Sequence, residues 1–145
     1  IQYLAELSQV DFDQVKDAIT DETAHRRARH VVGEVQRTKD AVEALKNGDI
    51  VKFGQLMNQS HVSLRDDYEV TGPQLDALAE AAWKIDGVLG SRMTGGGFGG
   101  CTVSLVREEA IPAFIEKVGA EYTEKTGLTA DFYIAEIGDG AHRVK

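Results

Sequence analysis

Cysteine is the scarcest reactive residue. Cys101 stands alone among 145 residues, which excludes an internal disulfide and any multi-cysteine metal site, and fits a reducing, cytoplasmic setting. Long hydrophobic runs are missing as well. No stretch approaches the roughly 20 apolar residues of a membrane-spanning helix, and no secretory signal pattern opens the chain. Basic residues are outnumbered, 16 Lys and Arg against 24 Asp and Glu, for a formal net charge of −8. That balance argues against nucleic acid and anionic membrane as partners, yet leaves room for a local basic site that holds a phosphate. There are no internal repeats and no low-complexity linkers, and the length suits one domain, residues 1–145, with its own core. The chain starts on Ile1 rather than Met, as a piece of a longer protein would.

What the sequence does have is periodicity. Ser8 suits the N-cap of a short helix holding Phe12, Val15 and Ile19. From Asp21, Ala24, Ala28, Val31, Val35, Thr38, Val42 and Leu45 recur every three or four residues, one face of a long helix. "KNGD" ends it, with Gly48 suited to a left-handed C-cap and Asp49 to the next N-cap. A second long helix, antiparallel to the first, would turn Phe53, Leu56, Met57, Ser60 and Leu64 inward. "TGP" at 71–73 breaks the chain, and Pro73 starts a helix with Leu75, Leu78, Ala79, Ala82 and Ile85 inward. The period then changes to two. Val88–Thr94 and the alternating Cys101–Val106 read as paired strands, with Cys101, Val103 and Leu105 inward and Cys101 a buried, inert thiol. A helix from about Glu108 to Lys125 carries Ile111, Phe114, Ile115, Val118 and Tyr122, and Asp131–Ile137 reads as a final strand. The sum is an α+β protein, an antiparallel sheet packed on helices.

One stretch breaks the strand pattern. In "GSRMTGGGFGGCTVSLV" (90–106), five of the six residues 95–100 are Gly and the sixth is Phe98. The spacing G-x-G-x-x-G is present, but a dinucleotide-binding turn must open a helix, and here a strand follows. The V-A-I-K, H-R-D and D-F-G segments that accompany a protein-kinase glycine loop are absent, as is the P-loop G-x-x-x-x-G-K-[ST]. Two readings remain. Side chains are removed so that backbone N–H groups can approach a phosphate or another loop, or the glycines only permit a bulged hairpin or close packing on a helix. Five glycines in six residues exceed what a turn requires, which favours the first.

The same stretch resembles the third signature motif of the GHMP small-molecule kinases. Together with "RRARHVVGEVQRT" (26–38) and "LMNQSHVSLRDDYEVTGPQLD" (56–76), in that order, it resembles the galactokinase branch of the family more than the others. The resemblance covers nearly the whole chain and is weak over 1–20. It implies the ferredoxin-like C-terminal domain of a two-domain kinase that phosphorylates galactose with ATP and Mg²⁺. In such a kinase the sugar motif, the serine-rich phosphate loop, the catalytic base and the Mg²⁺ ligands belong to an N-terminal domain. None of those segments is in this sequence, so the chain by itself would be inactive and would hold no catalytic residue. The third motif would form an active-site wall at the interface with that N-terminal domain. Its residues here are Arg92, Thr94, Gly95, Gly96, Gly97, Phe98, Gly99 and Gly100. Gly96 stands where many members carry Ala.

Other charged and polar groups have plainer readings beside functional ones. "RDDYE" (65–69) offers carboxylates for a metal or a base, but such charges commonly close a helix and pair with a neighbour. "HRRARH" (25–30) could hold phosphate, but reads better as the ion-paired outer face of a helix. His61 has no visible partner in the sequence and reads as structural, and Trp83 as core or interface. The alternatives to a galactokinase fragment are another kinase of the same family, a sugar sensor without catalysis, or a stand-alone ferredoxin-like regulatory domain.

Overall fold

The computed structural model describes residues 2–136 together with 138, 140 and 143. The order is α1 (Gln9–Val15), α2 (Glu22–Lys46), α3 (Ile50–Ser63), α4 (Pro73–Trp83), β1 (Val88–Thr94), β2 (Cys101–Val106) and α5 (Ile111–Thr126). The helix starts follow from local chemistry. Ser8 and Asp11 form a reciprocal capping box on α1. The carboxylates of Asp21 and Asp49 accept the amides of Ala24 (2.7 Å) and Lys52 (2.9 Å) at the heads of α2 and α3. Gly127, with φ +71°, ends α5 in the left-handed region.

Packing explains which expected faces were used. Phe12 of α1 buries itself on Ala28 and Val32 of α2, a pair at i, i+4, and Phe12 and Val32 are each 1% exposed. Val32 was not on the expected stripe. It is buried because α2 has two partners, α1 as well as α3, and Val32 packs on Phe12 of α1. Beyond them Val42 and Leu45 lie about half exposed. Helix α4 is sandwiched between the sheet and α5, and its small residues Ala77, Ala79, Ala81 and Ala82 are all buried there. Val118 of α5 closes that cluster with Ala81 and Ala82, and Phe132 meets Phe114 edge-on.

Strands β1 and β2 pair antiparallel, Thr94 opposite Cys101 and Met93 opposite Thr102, with a register shift at Leu89. Here the sequence reading needs two corrections. The alternation is present, but its sign is reversed. Ser91 and Met93 face inward and are buried, while Cys101 is exposed and Val103 is 48% exposed. The inner face is chosen by β1, because Met93 joins the Leu64–Leu75 cluster. Cys101 lies opposite Thr94 and therefore on the other face. It is not a buried thiol. The expected strand at Asp131–Ile137 does not form over 131–136, which pair with no strand among the described residues; Ile137 lies outside them. The α+β class, helices with an antiparallel sheet, is as expected.

Backbone packs directly on backbone where α3 meets β1. A Cβ on Gly54 would lie 2.2 Å from the Leu89 carbonyl oxygen, and one on Gly90 would lie 2.3 Å from the Gly54 oxygen. Helix backbone meets strand backbone, so only glycine fits at either position.

Candidate functional site

Residues 95–100 connect β1 to β2 as an arch. Gly95, Gly97, Phe98 and Gly99 all have positive φ, +75°, +84°, +56° and +90°, so four of the six positions need glycine or a tolerated exception. The arch is pinned at Gly97 and Phe98. The Phe98 amide donates to the Val70 carbonyl at 2.8 Å. A Cβ on Gly97 would come within 2.1 Å of that same oxygen. The packing explanation of the glycines therefore holds for Gly97.

It does not hold for Gly96. Its φ lies outside the left-handed region and nothing stands within 4 Å of its would-be Cβ. Gly95 and Gly99 likewise face open space. The amides of Gly95, Gly96 and Gly99 have no hydrogen-bond partner among the described residues. The arch thus carries unpaired donors on side-chain-free backbone, with the Phe98 ring 80% exposed in the same loop.

The two polar residues expected near the loop diverge. Thr94 is exposed at the end of β1, next to the arch. Arg92 turns away from it: its Nε donates to the Met93 carbonyl at 3.1 Å, and Nη1 lies 3.7 Å from Glu34 of α2. Burial works to raise the Glu34 pKa, but the Ser60 hydroxyl at 2.5 Å and Arg37 at 2.7 Å, with Arg92 behind them, hold it below the usual carboxylate range.

The two charged segments of the sequence satisfy each other. Arg26 and Arg27 both pair with Glu69, and Arg29 pairs with Asp67. Arg65 bridges Asp66 and Glu80. Glu69 is held at about 2 by Arg26 and Arg27. These carboxylates are spoken for, and no group of three His, Cys, Asp or Glu among the described residues is arranged to hold a metal. The ion-paired reading of "HRRARH" and "RDDYE" is the one the structure supports.

His61 is structural, as expected, but it is not without partners. Its ring is fully buried, and it has partners on both nitrogens. Nδ1 accepts the Met93 amide at 3.0 Å, and Nε2 faces Asp76 Oδ1 at 3.1 Å. One turn earlier, Asn58 Oδ1 accepts the Ser91 amide at 2.8 Å, and Trp83 Nε1 donates to the Ser91 carbonyl at 3.0 Å. The sequence held a signal for this: Gly54, Asn58 and His61 recur at helical spacing along one side of α3.

Residues 41–124 match the family model described as "GHMP kinases C terminal". The chain belongs to the GHMP kinase C-terminal family. The galactokinase of Fusobacterium nucleatum is 61% identical over all 145 residues, and that of Bacillus subtilis 52%. The crystal structure of Lactococcus lactis galactokinase complexed with galactose superposes with a TM-score of 0.93 at 55% identity over 97% of this chain. The chain spans only 37% of the first two proteins and 36% of the third. The helices and hairpin described above are therefore those of a GHMP C-terminal domain, with the glycine arch at residues 95–100.

Proposed function

We propose that this GHMP domain is the C-terminal part of a cytoplasmic galactokinase that transfers the γ-phosphoryl group of ATP to galactose. Thr94 and the arch Gly95–Gly100 form one wall of its active site, against an N-terminal domain of the same protein, and Arg92 supports that wall from behind through its contacts with the Met93 carbonyl and Glu34. The observation that carries the reading is that the amides of Gly95, Gly96 and Gly99 have no hydrogen-bond partner among the described residues, at positions where a would-be Cβ meets nothing within 4 Å. Phosphoryl transfer depends on positioning and on neutralising charge over the phosphate oxygens. Fixed N–H donors do both, and bare glycine lets the phosphate reach the backbone. ATP supplies the phosphoryl group. The amides of Gly95, Gly96 and Gly99 are the groups of this chain that would hold it. Mg²⁺ is the expected companion of the nucleotide, but the described residues offer no ligand cluster for it, so its ligands are assigned to the N-terminal domain together with the catalytic base.

The experiment is galactose-dependent ADP release by the intact protein with MgATP, run beside the 145-residue chain alone. The reading expects turnover from the first and none from the second. Binding of galactose without ADP release by the intact, folded protein would make it a sensor. Turnover with another small-molecule alcohol in place of galactose would make it a different kinase of the family.

A further inference from the structure

We infer that His61 is a positioning residue for the glycine arch, acting through a single neutral tautomer. The inference rests on the arch being an active-site wall, as proposed above.

An amide can only donate, so the Met93 N–H at 3.0 Å requires a bare Nδ1 on His61. The proton of the neutral ring then sits on Nε2, where Asp76 accepts it at 3.1 Å. Trp83 closes the pocket, edge-on to the ring at 5.6 Å. The side chain is fully buried, so neither partner can be replaced by water at no cost.

The position of this bond matters more than its strength. Met93 is two residues before Gly95, and its amide donates to His61 on α3. His61 therefore fixes where β1 ends and the arch begins. The arch's second anchor is the Phe98 amide on Val70. Met93 also borders the pinned tip, since its Cε stands 3.3 Å from where a Cβ on Gly97 would be. Gly95 and Gly96 lie between these points, and nothing stands within 4 Å of the Cβ either would carry. Their placement is inherited from His61 at one end and Val70 at the other.

The test uses the intact protein with His61→Leu, which fills volume but accepts nothing, and His61→Asn, whose Oδ1 can stand where Nδ1 was. Three readouts are taken. Amide exchange at Met93 should be protected in the wild type, lost in His61→Leu and largely restored in His61→Asn, while α5 amides stay protected in all three. The kcat of His61→Leu should fall about tenfold to a hundredfold, with the galactose KM moving less than threefold, and His61→Asn should recover most of that loss. The imidazole ¹⁵N spectrum of the wild type at neutral pH should show Nε2–H and an unprotonated Nδ1. Equal kcat in the Leu and Asn variants, or protection at Met93 unaffected by Leu, overturns the inference. If His61→Leu does not fold, a protonated Nδ1 in the wild type or an unprotected Met93 amide in His61→Asn overturns it equally. A wild type without kinase turnover would refute the proposed function, while the exchange and ¹⁵N readouts would still decide whether His61 holds the arch.

Discussion

Gly54→Ala should be strongly destabilising although it replaces a mid-helix glycine with the best helix former. In an exposed helix that change gains about 1 kcal/mol. In α3 the new methyl would meet the Leu89 carbonyl oxygen at 2.2 Å and its carbon at 2.4 Å. Those atoms are strand backbone and cannot rotate aside, so α3 and β1 must separate. Overpacking of this kind costs about 1–3 kcal/mol. Separation also strains the bonds from the Ser91 amide to Asn58 and from the Met93 amide to His61, at about 1 kcal/mol each. After the propensity gain, the net loss is about 2–4 kcal/mol, or roughly 5–15 °C in Tm for a chain of this size. Urea and thermal unfolding measure it directly. Gly33→Ala is the comparison, because its methyl meets only the flexible end of Arg37 at 3.3 Å; it should be neutral or slightly stabilising. If Gly54→Ala raises stability as an exposed helix would, the backbone-to-backbone contact of α3 and β1 is wrong.

Three further outcomes follow from the same geometry. Stability should fall as pH drops below about 6.5, because burial lowers the pKa of both His30 and His61 in the folded state. The unfolded chain then binds more protons between each folded pKa and about 6.5, so stability is full above that window and lost within it. The groups around His61 are Asp76, Arg65 and Glu80, and around His30 they are Glu34, Arg37, Asp67 and Arg92. A denaturation midpoint flat from pH 7.5 to 5 would contradict this. Cys101, exposed on the outer face of the hairpin, should react with a thiol reagent in the native 145-residue chain about as fast as in the unfolded one. Slow labelling would return it to the buried side. Light scattering of that chain should show self-association that Phe98→Ser reduces, because the ring is 80% exposed and burying it is worth about 1.5–3 kcal/mol; a strictly monomeric chain at high concentration would contradict it.

Local chemistry made much of this fold legible. Ser8, Asp21, Asp49 and Pro73 start helices where side-chain caps and a fixed φ say they should, and Val88–Thr94 and Cys101–Val106 show their period of two. Periodicity alone could not say which face of the hairpin goes inward. That was decided by Met93 joining Leu64 and Leu75, a contact from distant sequence. Nor could it make a strand of 131–136, since a strand needs a neighbour as well as a pattern. In the site, the glycine arch was visible as composition, but its division into a packed Gly97 and an open Gly96 is a matter of where Val70 lies. Arg92 looked available until Glu34, 58 positions earlier in the chain, came beside it. His61 looked solitary because its partners are a side chain on α4 and a backbone amide on β1.

Gly96 tests the central claim most directly. Its φ is ordinary and its would-be Cβ touches nothing in this chain, so Gly96→Leu should leave the unfolding free energy within about 0.5 kcal/mol of the wild type. If the arch faces the nucleotide phosphates, the same substitution in the intact protein should lower galactose-dependent kcat/KM for ATP at least about tenfold, a loss of about 1.4 kcal/mol of transition-state binding. Unchanged stability with unchanged kcat/KM would show that nothing approaches the arch during turnover, and that its glycines serve the hairpin alone.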